Sequence, residues 1–319
     1  MERGGGIAGK IFRGIREGLG IGDLPAREVE RRYADSASRF MELGEARVHY
    51  KDEGREGAPA LLLLHGTFSS LHTWDGWVDR LRDHYRMVRL DIPGFGLTGP
   101  PRGGRFTIEW MVGFIDDFTE ELGLERFHVA GNSLGGYFAW RYAAERPGKV
   151  DRLVLVDAAG YPMPLPPILK FIATPVLGSS YRVLSPRFLV EANVRQVYGD
   201  ARRIRDHVVE RYHLLMLREG NRRTLKENLP HLSRFEDSRR VRDVRAPTLV
   251  MWGEEDRWIS PSMARRFMRD LPQARLVTYP GVGHVPMEEV PERTADDAHA
   301  FLSGSADLAR QAGSEKERE

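Results

Sequence analysis

Ser133 stands in the stretch GNSLGG, directly after the apolar run FHVA and directly before YFAWRYAAERP. A serine at a tight turn from a buried strand into a helix is held in a strained backbone conformation with its hydroxyl exposed. Such a turn crowds the residues two before and two after it, and Gly131 and Gly135 are small enough to fit there. The helix that follows directs its positive N-terminal end at the reaction centre. The Leu134 N–H then becomes a donor to a developing oxyanion. The chemistry this implies is nucleophilic attack by an activated hydroxyl. A Gly-x-Ser-x-Gly match alone also fits an ordinary glycine-rich turn, so partners elsewhere must decide.

A serine nucleophile needs a base. His284, in TYPGVGHVPMEEVPE, follows the last strand-like run in a glycine-rich loop, which places it at the same strand edge as Ser133. His65, in LLLLHGTFSS, suits a structural role, tying its loop by hydrogen bonds while the Thr67 N–H supplies a second oxyanion donor. His72, His128, His207, His213, His231 and His299 fall on expected helices, a strand or the inserted region and read as surface or satisfied histidines. The third member must be a carboxylate that orients the imidazole. Asp256, in LVMWGEEDRWIS, is favoured, and Asp157, in LVLVDAAG, is its competitor. Asp91, in RLDIPGFG, shapes its own loop. Phe68 and Val285, next to the oxyanion loop and the histidine, are the candidate substrate-lining residues.

These residues need a scaffold that gathers them at one edge. PALLLLHG, YRMVRLDIPG, FHVAGNS, DRLVLVDAAG, PTLVMWGEED and ARLVTYPGVGH are short apolar runs, and helical stretches lie between most of them. Runs of this kind suit strands buried on both faces. Their alternation with helices predicts an α/β fold with a mostly parallel doubly wound sheet. The alternation stops between about 160 and 240, where YPMPLPPILKFIATPVLG leads into helical pieces. The expected organisation is an N-terminal extension over 1–39, a core over 40–159 and 241–303, a helical cap over 160–240, and a disordered tail over 304–319. Ligands of open α/β sheets bind at the carboxyl ends of the strands, where such a cap would cover them.

The motifs LLLLHGTFSSLHTWDGW, RLDIPGFGLTG, VAGNSLGGYFAW, MWGEEDRWI and GVGHVPMEEVPE occur in that order, and the chain resembles the α/β-hydrolase superfamily, esterase/lipase-like branch, over about 40–303. The chain order Ser133, Asp256, His284 is the one expected of that fold. The resemblance implies hydrolysis of carboxylic esters of small to medium, largely apolar substrates by a Ser-His-Asp triad through an acyl-enzyme. The fold hosts many other activities. Epoxide hydrolases and haloalkane dehalogenases of this fold use an aspartate at the elbow, where this chain has Ser133. Carbon–carbon (meta-cleavage product) hydrolases often carry an asparagine before the nucleophile, as Asn132 is here, but tend to have a tryptophan after the histidine, where this chain has Val285. That branch, with lactonases, is the runner-up. A non-catalytic binding protein on the same fold is a further alternative that the complete set of parts disfavours.

Composition narrows the rest. The 319 residues are 41% hydrophobic, enough for one large core. Lys and Arg (48) nearly balance Asp and Glu (46), and a net charge of +2 gives no reason to expect nucleic acid as a partner. With no cysteine, disulfides, thiolate metal sites and a cysteine nucleophile are excluded. No metal and no cofactor is expected; the partner is a small-molecule ester, and the oligomeric state is open. No run reaches the roughly 18 apolar residues of a membrane-spanning helix, and the N-terminus lacks the apolar core of a signal peptide, so cytoplasm is the default expectation. Ile7, Ile11, Ile15 and Leu19 recur every four residues among Lys10, Arg13 and Arg16. That pattern fits either a weak membrane-surface contact or a helix docked on the protein itself.

Overall fold

The computed structural model describes residues 14–104, 107–232, 234–235 and 237–304. Eight strands form one sheet in the order β1-β2-β4-β3-β5-β6-β7-β8. They are β1 (Arg39–Leu43), β2 (Ala46–Gly54), β3 (Ala60–Leu64), β4 (Arg86–Leu90), β5 (Phe127–Asn132), β6 (Val150–Val156), β7 (Thr248–Gly253) and β8 (Arg275–Tyr279). β2 pairs antiparallel with both β1 and β4, and every other pairing is parallel. The central strands β3, β5 and β7 are buried along their whole length. This is why their sequences read as unbroken apolar runs rather than alternating ones.

Helices cover both faces: α1 (Ala26–Tyr33), α2 (Asp75–Leu81), α3 (Ile108–Glu121), α4 (Leu134–Glu145), then, after an inserted region, α9 (Ser262–Asp270), α10 (Pro286–Glu289) and α11 (Pro291–Leu302). The insertion lies between β6 and β7 and is helical, as its sequence indicates. It contains α5 (Pro167–Ala173), a 3-10 turn (Leu177–Arg182), α6 (Arg187–Val197), α7 (Asp206–Leu217) and α8 (Asn221–Leu232). Prolines start two of its helices, while Pro230 lies inside α8. Pro166 and Pro186 precede α5 and α6 with extended ψ values of 149° and 141°, and each accepts a bond from the first helical turn.

The extension before β1 is held against the rest of the chain. From residue 14 onward it is fastened to the inserted helices. The buried Arg222 on α8 donates to the carbonyl of Gly20 (3.0 Å) and to Asp23 Oδ1 (2.7 Å). Leu24 N donates to Leu217 O at 2.8 Å, and α1 buries Val29. A local sequence pattern does not contain this, because the partners lie some 200 residues away. Ile7 and Ile11 of the amphipathic pattern, and the tail from 305 on, lie outside the described residues.

Candidate active site

The turn after β5 has the strain its glycines foretell. Ser133 has φ 54° and ψ −116°, a region costly for a residue with a Cβ. A Cβ on Gly131 would sit 2.3 Å from Gly135 O, and one on Gly135 would sit 2.2 Å from Leu64 O. Both glycines are therefore required by close backbone approach. Leu134 opens α4, so its N–H is one of the helix's unspent donors.

The loop after β3 faces this turn. His65 Nε2 accepts from the Ile92 N–H at 2.9 Å, so its proton must be on Nδ1, which donates to Gly66 O at 2.8 Å. Burial lowers the pKa of His65 and keeps it neutral. It therefore ties the loop, as its position after β3 suggests. Phe68 is held at φ 65° in this loop. Thr67 and Leu134 line one chamber with Ser133 between them. Among the described residues neither of their amides donates to a protein acceptor.

Asp256 and His284 are brought together. His284 Nδ1 lies 2.8 Å from Asp256 Oδ2, and both side chains are buried. A carboxylate can only accept there, so the ring carries its proton on Nδ1 and presents the Nε2 lone pair. Nε2 is buried and has no hydrogen-bond partner. The other carboxylate oxygen, Oδ1, accepts from the N–H groups of Trp258 (2.7 Å) and Ile259 (2.9 Å), which fixes its orientation. Ser133 and His284 face a common cleft of about 340 Å³, whose wall includes Phe68 and Val285. Thr67, Phe68, Ser133, His284 and Val285 thus line one cleft, with Asp256 bonded to His284 and Leu134 in the wall of the adjoining chamber.

Asp157 lies beside this pair. It is fully buried at the end of β6, with φ 44°, and its Oδ1 accepts from Gly253 N at 3.0 Å. One oxygen of its carboxyl is within 4.8 Å of ligand-capable atoms of Asp256 and His284. Burial, then the neighbouring Asp256 charge, raises its pKa well above the usual carboxylate range. Burial therefore favours the protonated form of Asp157, and its unpartnered Oδ2 is the place for the proton. These three are the group of His and carboxylate side chains, among the described residues, close enough to share an ion. With Nδ1 and Asp256 Oδ1 already spent on hydrogen bonds, only one free oxygen remains at Asp157, a poor cage for a cation.

Sequence reasoning missed four contributors. Asn132 Nδ2 donates to Val156 O (3.1 Å) and to His284 O (3.0 Å), pinning the histidine loop to the elbow. Trp258 stacks on the His284 ring with centroids 5.5 Å apart. Val197, at the end of α6, accepts from the His284 N–H at 2.7 Å. Glu289, buried on α10, accepts from Gly283, Gly199 and Asp200 amides at 2.8–2.9 Å. The insertion is thereby joined to the histidine loop by backbone contact. These partners carry no local signal in the sequence.

Beyond the cleft lies a chamber of about 500 Å³, with Met163, Leu165, Leu169, Leu225 and Leu229 in its wall and Ser133 at its floor. Among the described residues no charged side chain lines it.

The comparisons with known proteins agree with this architecture. Lipase 1 of Psychrobacter immobilis is 27% identical over 291 residues, 86% of this chain and 87% of its own. Haloalkane dehalogenase 2 of Mycobacterium tuberculosis is 29% identical over 269 residues, 81% of this chain and 92% of its own. The crystal structure of a bacterial membrane phospholipase A, described as a virulence factor, superposes with a TM-score of 0.68 at 29% identity, covering 87% of this chain and 89% of that one. The alpha/beta hydrolase family model matches residues 61–297, and with the eight-stranded sheet and inserted helices this chain belongs to that family.

Proposed function

We propose that the chain is a serine esterase that cleaves carboxylic esters with apolar acyl groups. The observation that carries this reading is the strained Ser133 at the mouth of an uncharged chamber, with two unspent amides beside it and the Asp256–His284 pair across the cleft. Ser133 Oγ attacks the acyl carbon while His284 Nε2 takes its proton. The Thr67 and Leu134 N–H groups stabilise the oxyanion. His284 then protonates the leaving alcohol oxygen, and the bond from the acyl carbon to that oxygen breaks. Water, deprotonated by the same nitrogen, releases the acid and restores Ser133. Asp256 holds the imidazole in the Nδ1–H tautomer throughout.

The likeness to a lipase and to a membrane phospholipase A supports lipid esters as the substrate class. The serine at the elbow separates this chain from dehalogenation, which needs a carboxylate there. Asn132 gives no separate argument for carbon–carbon cleavage, since its amide is occupied with two backbone carbonyls.

The test is a series of p-nitrophenyl esters. Each methylene buried in the chamber contributes up to about 0.8 kcal/mol, so kcat/KM should climb by up to about fourfold per added carbon until the chamber is full. A flat profile from acetate to octanoate would contradict an acyl-binding chamber.

A further inference from the structure

Large exposed apolar side chains are not scattered over this molecule. Among the described residues they are Ile15, Leu19 and Ile21 before α1, then Phe171, Val176, Leu177, Val183, Leu184, Phe188 and Leu189 in the insertion, and otherwise only Leu276. Val176 and Leu177 are 82% and 69% exposed, and Phe188 is 65% exposed, more than packing on this chain requires. The two segments meet. Ile21 and Leu184 form a β-bridge, Gly22 N donates to Val183 O, and Ser185 N donates to Gly20 O. A contiguous apolar face of this kind marks an interaction surface.

The charges around it say what the partner is. From 158 to 190 the chain has no acidic residue, while Lys170, Arg182 and Arg187 are exposed. None of the three forms an ion pair among the described residues. Apolar side chains with free cations among them suit an anionic lipid surface, where the cations meet headgroups and the apolar groups enter the acyl boundary. A second copy of this chain docking symmetrically would set this uncompensated positive charge against itself.

The face also leads inward. Phe171, Leu184 and Leu189 are both exposed and in the wall of an apolar pocket of about 540 Å³. The inner wall of that pocket includes Phe68, Val194 and Tyr212, which also line the cleft at Ser133 and His284. The pocket and the cleft thus lie next to each other, with Phe68, Val194 and Tyr212 between them.

We propose that the outer face of the insertion, from α5 to α6 with residues 15–21 beside it, docks on an anionic phospholipid bilayer and admits lipid directly into the cleft. The docking stands on the face and its charges; only the fate of the admitted lipid rests on the ester reading. The two are tested apart.

Sedimentation of the full chain carrying Ser133→Ala, which holds lipid without turnover, measures docking. The probes are sucrose-loaded vesicles of phosphatidylcholine alone and of phosphatidylcholine with one quarter phosphatidylglycerol. Binding should favour the anionic vesicles and fall with added salt. Lys170→Glu/Arg182→Glu/Arg187→Glu should weaken it on the order of a hundredfold, at about fivefold or more per reversed cation. Val176→Ser/Leu177→Ser/Phe188→Ser should also weaken it, while in the Ser133 background hydrolysis of soluble p-nitrophenyl butyrate stays as in the parent. Three results would overturn the proposal. One is equal binding of both triple variants and parent, which would assign any affinity to another part of the chain. Another is no vesicle binding by the parent. The third is a parent dimer that Val176→Ser/Leu177→Ser/Phe188→Ser dissociates. No ester hydrolysis by the chain that keeps Ser133, with vesicle binding intact, would sink the ester reading alone.

Discussion

Two Ser-His-Asp sets among the described residues differ instructively. In the first, Asp256 orients His284 towards the cleft at Ser133. In the second, Asp91 Oδ2 accepts from His49 Nδ1 at 2.8 Å, and His49 Nε2 lies 2.9 Å from Ser38 Oγ. Judged by hydrogen bonds, the second is the more complete. Yet Ser38 lies in a turn leading into β1, and its Oγ also accepts from the Asp35 N–H at 3.1 Å. His49 has both ring nitrogens engaged and is wholly buried. Asp91 serves the loops, accepting from the Leu71 and Leu97 amides at 2.7 Å each. Ser133 has instead a strained backbone, a helix N-terminus behind it, free amides beside it and a base whose lone pair is unspent. A hydrogen-bonded chain is a way to fix three side chains; a reactive site needs the donors and the space as well.

Substitutions at matching positions test this contrast. Ser133→Ala should reduce kcat on p-nitrophenyl butyrate by about a millionfold, and a loss under about tenfold would break the assignment. Asp256→Asn keeps the shape but not the tautomer, and should cost on the order of ten-thousandfold in kcat. In the second chain the effect moves from rate to stability. Asp91→Ala strands His49 and two amides and should cost about 3–5 kcal/mol in urea unfolding, with activity retained by the molecules that stay folded. Ser38→Ala should cost about 1 kcal/mol or less and leave kcat unchanged; a large kcat loss there would make the two chains functionally alike.

Asp91 and Asp157, both fully buried and without a proposed chemical step, have opposite pH signatures. Burial raises the pKa of Asp91, but the charge and hydrogen bond of His49 outweigh it and hold the carboxyl well below its usual range. Its contribution is full at neutral pH and is lost as pH falls below the unfolded value of about 3.8 through the folded one. Asp157 is raised, so its contribution is full below that unfolded value and fades as pH rises through its folded pKa. Asn can adopt the φ of 44°, accept from Gly253 N and donate towards Asp256. Asp157→Asn should therefore change kcat by less than about threefold, and raise Tm relative to the parent at pH 8 more than at pH 5. A Tm difference that stays constant from pH 5 to pH 8 would mean Asp157 is ionised across that range.

How much was readable before the structure follows from distance along the chain. The elbow was legible because its constraint is local: Gly131 and Gly135 are required by contacts with each other's turn and with β3. The strands were legible because both-face burial leaves unbroken apolar runs, as in ALLLL of β3. Asn132 was not, because its amide reaches the carbonyl of His284, 152 residues on. The fastening of residues 14–38 to the insertion was hidden for the same reason, as Arg222 and Gly20 are 202 apart. His49 carries no local mark of its pairing with Asp91. The apolar face of the insertion reads, in sequence, as ordinary packing; only exposure separates Phe188 from Leu169.

The most direct test of the account is the site of covalent labelling. The folded protein is treated with a fluorophosphonate, and the modified peptide is identified by mass spectrometry. The expected result is one label per chain, on Ser133, abolished by Ser133→Ala and retained in Ser38→Ala. A label on Ser38, or full labelling of the Ser133→Ala variant, would contradict it.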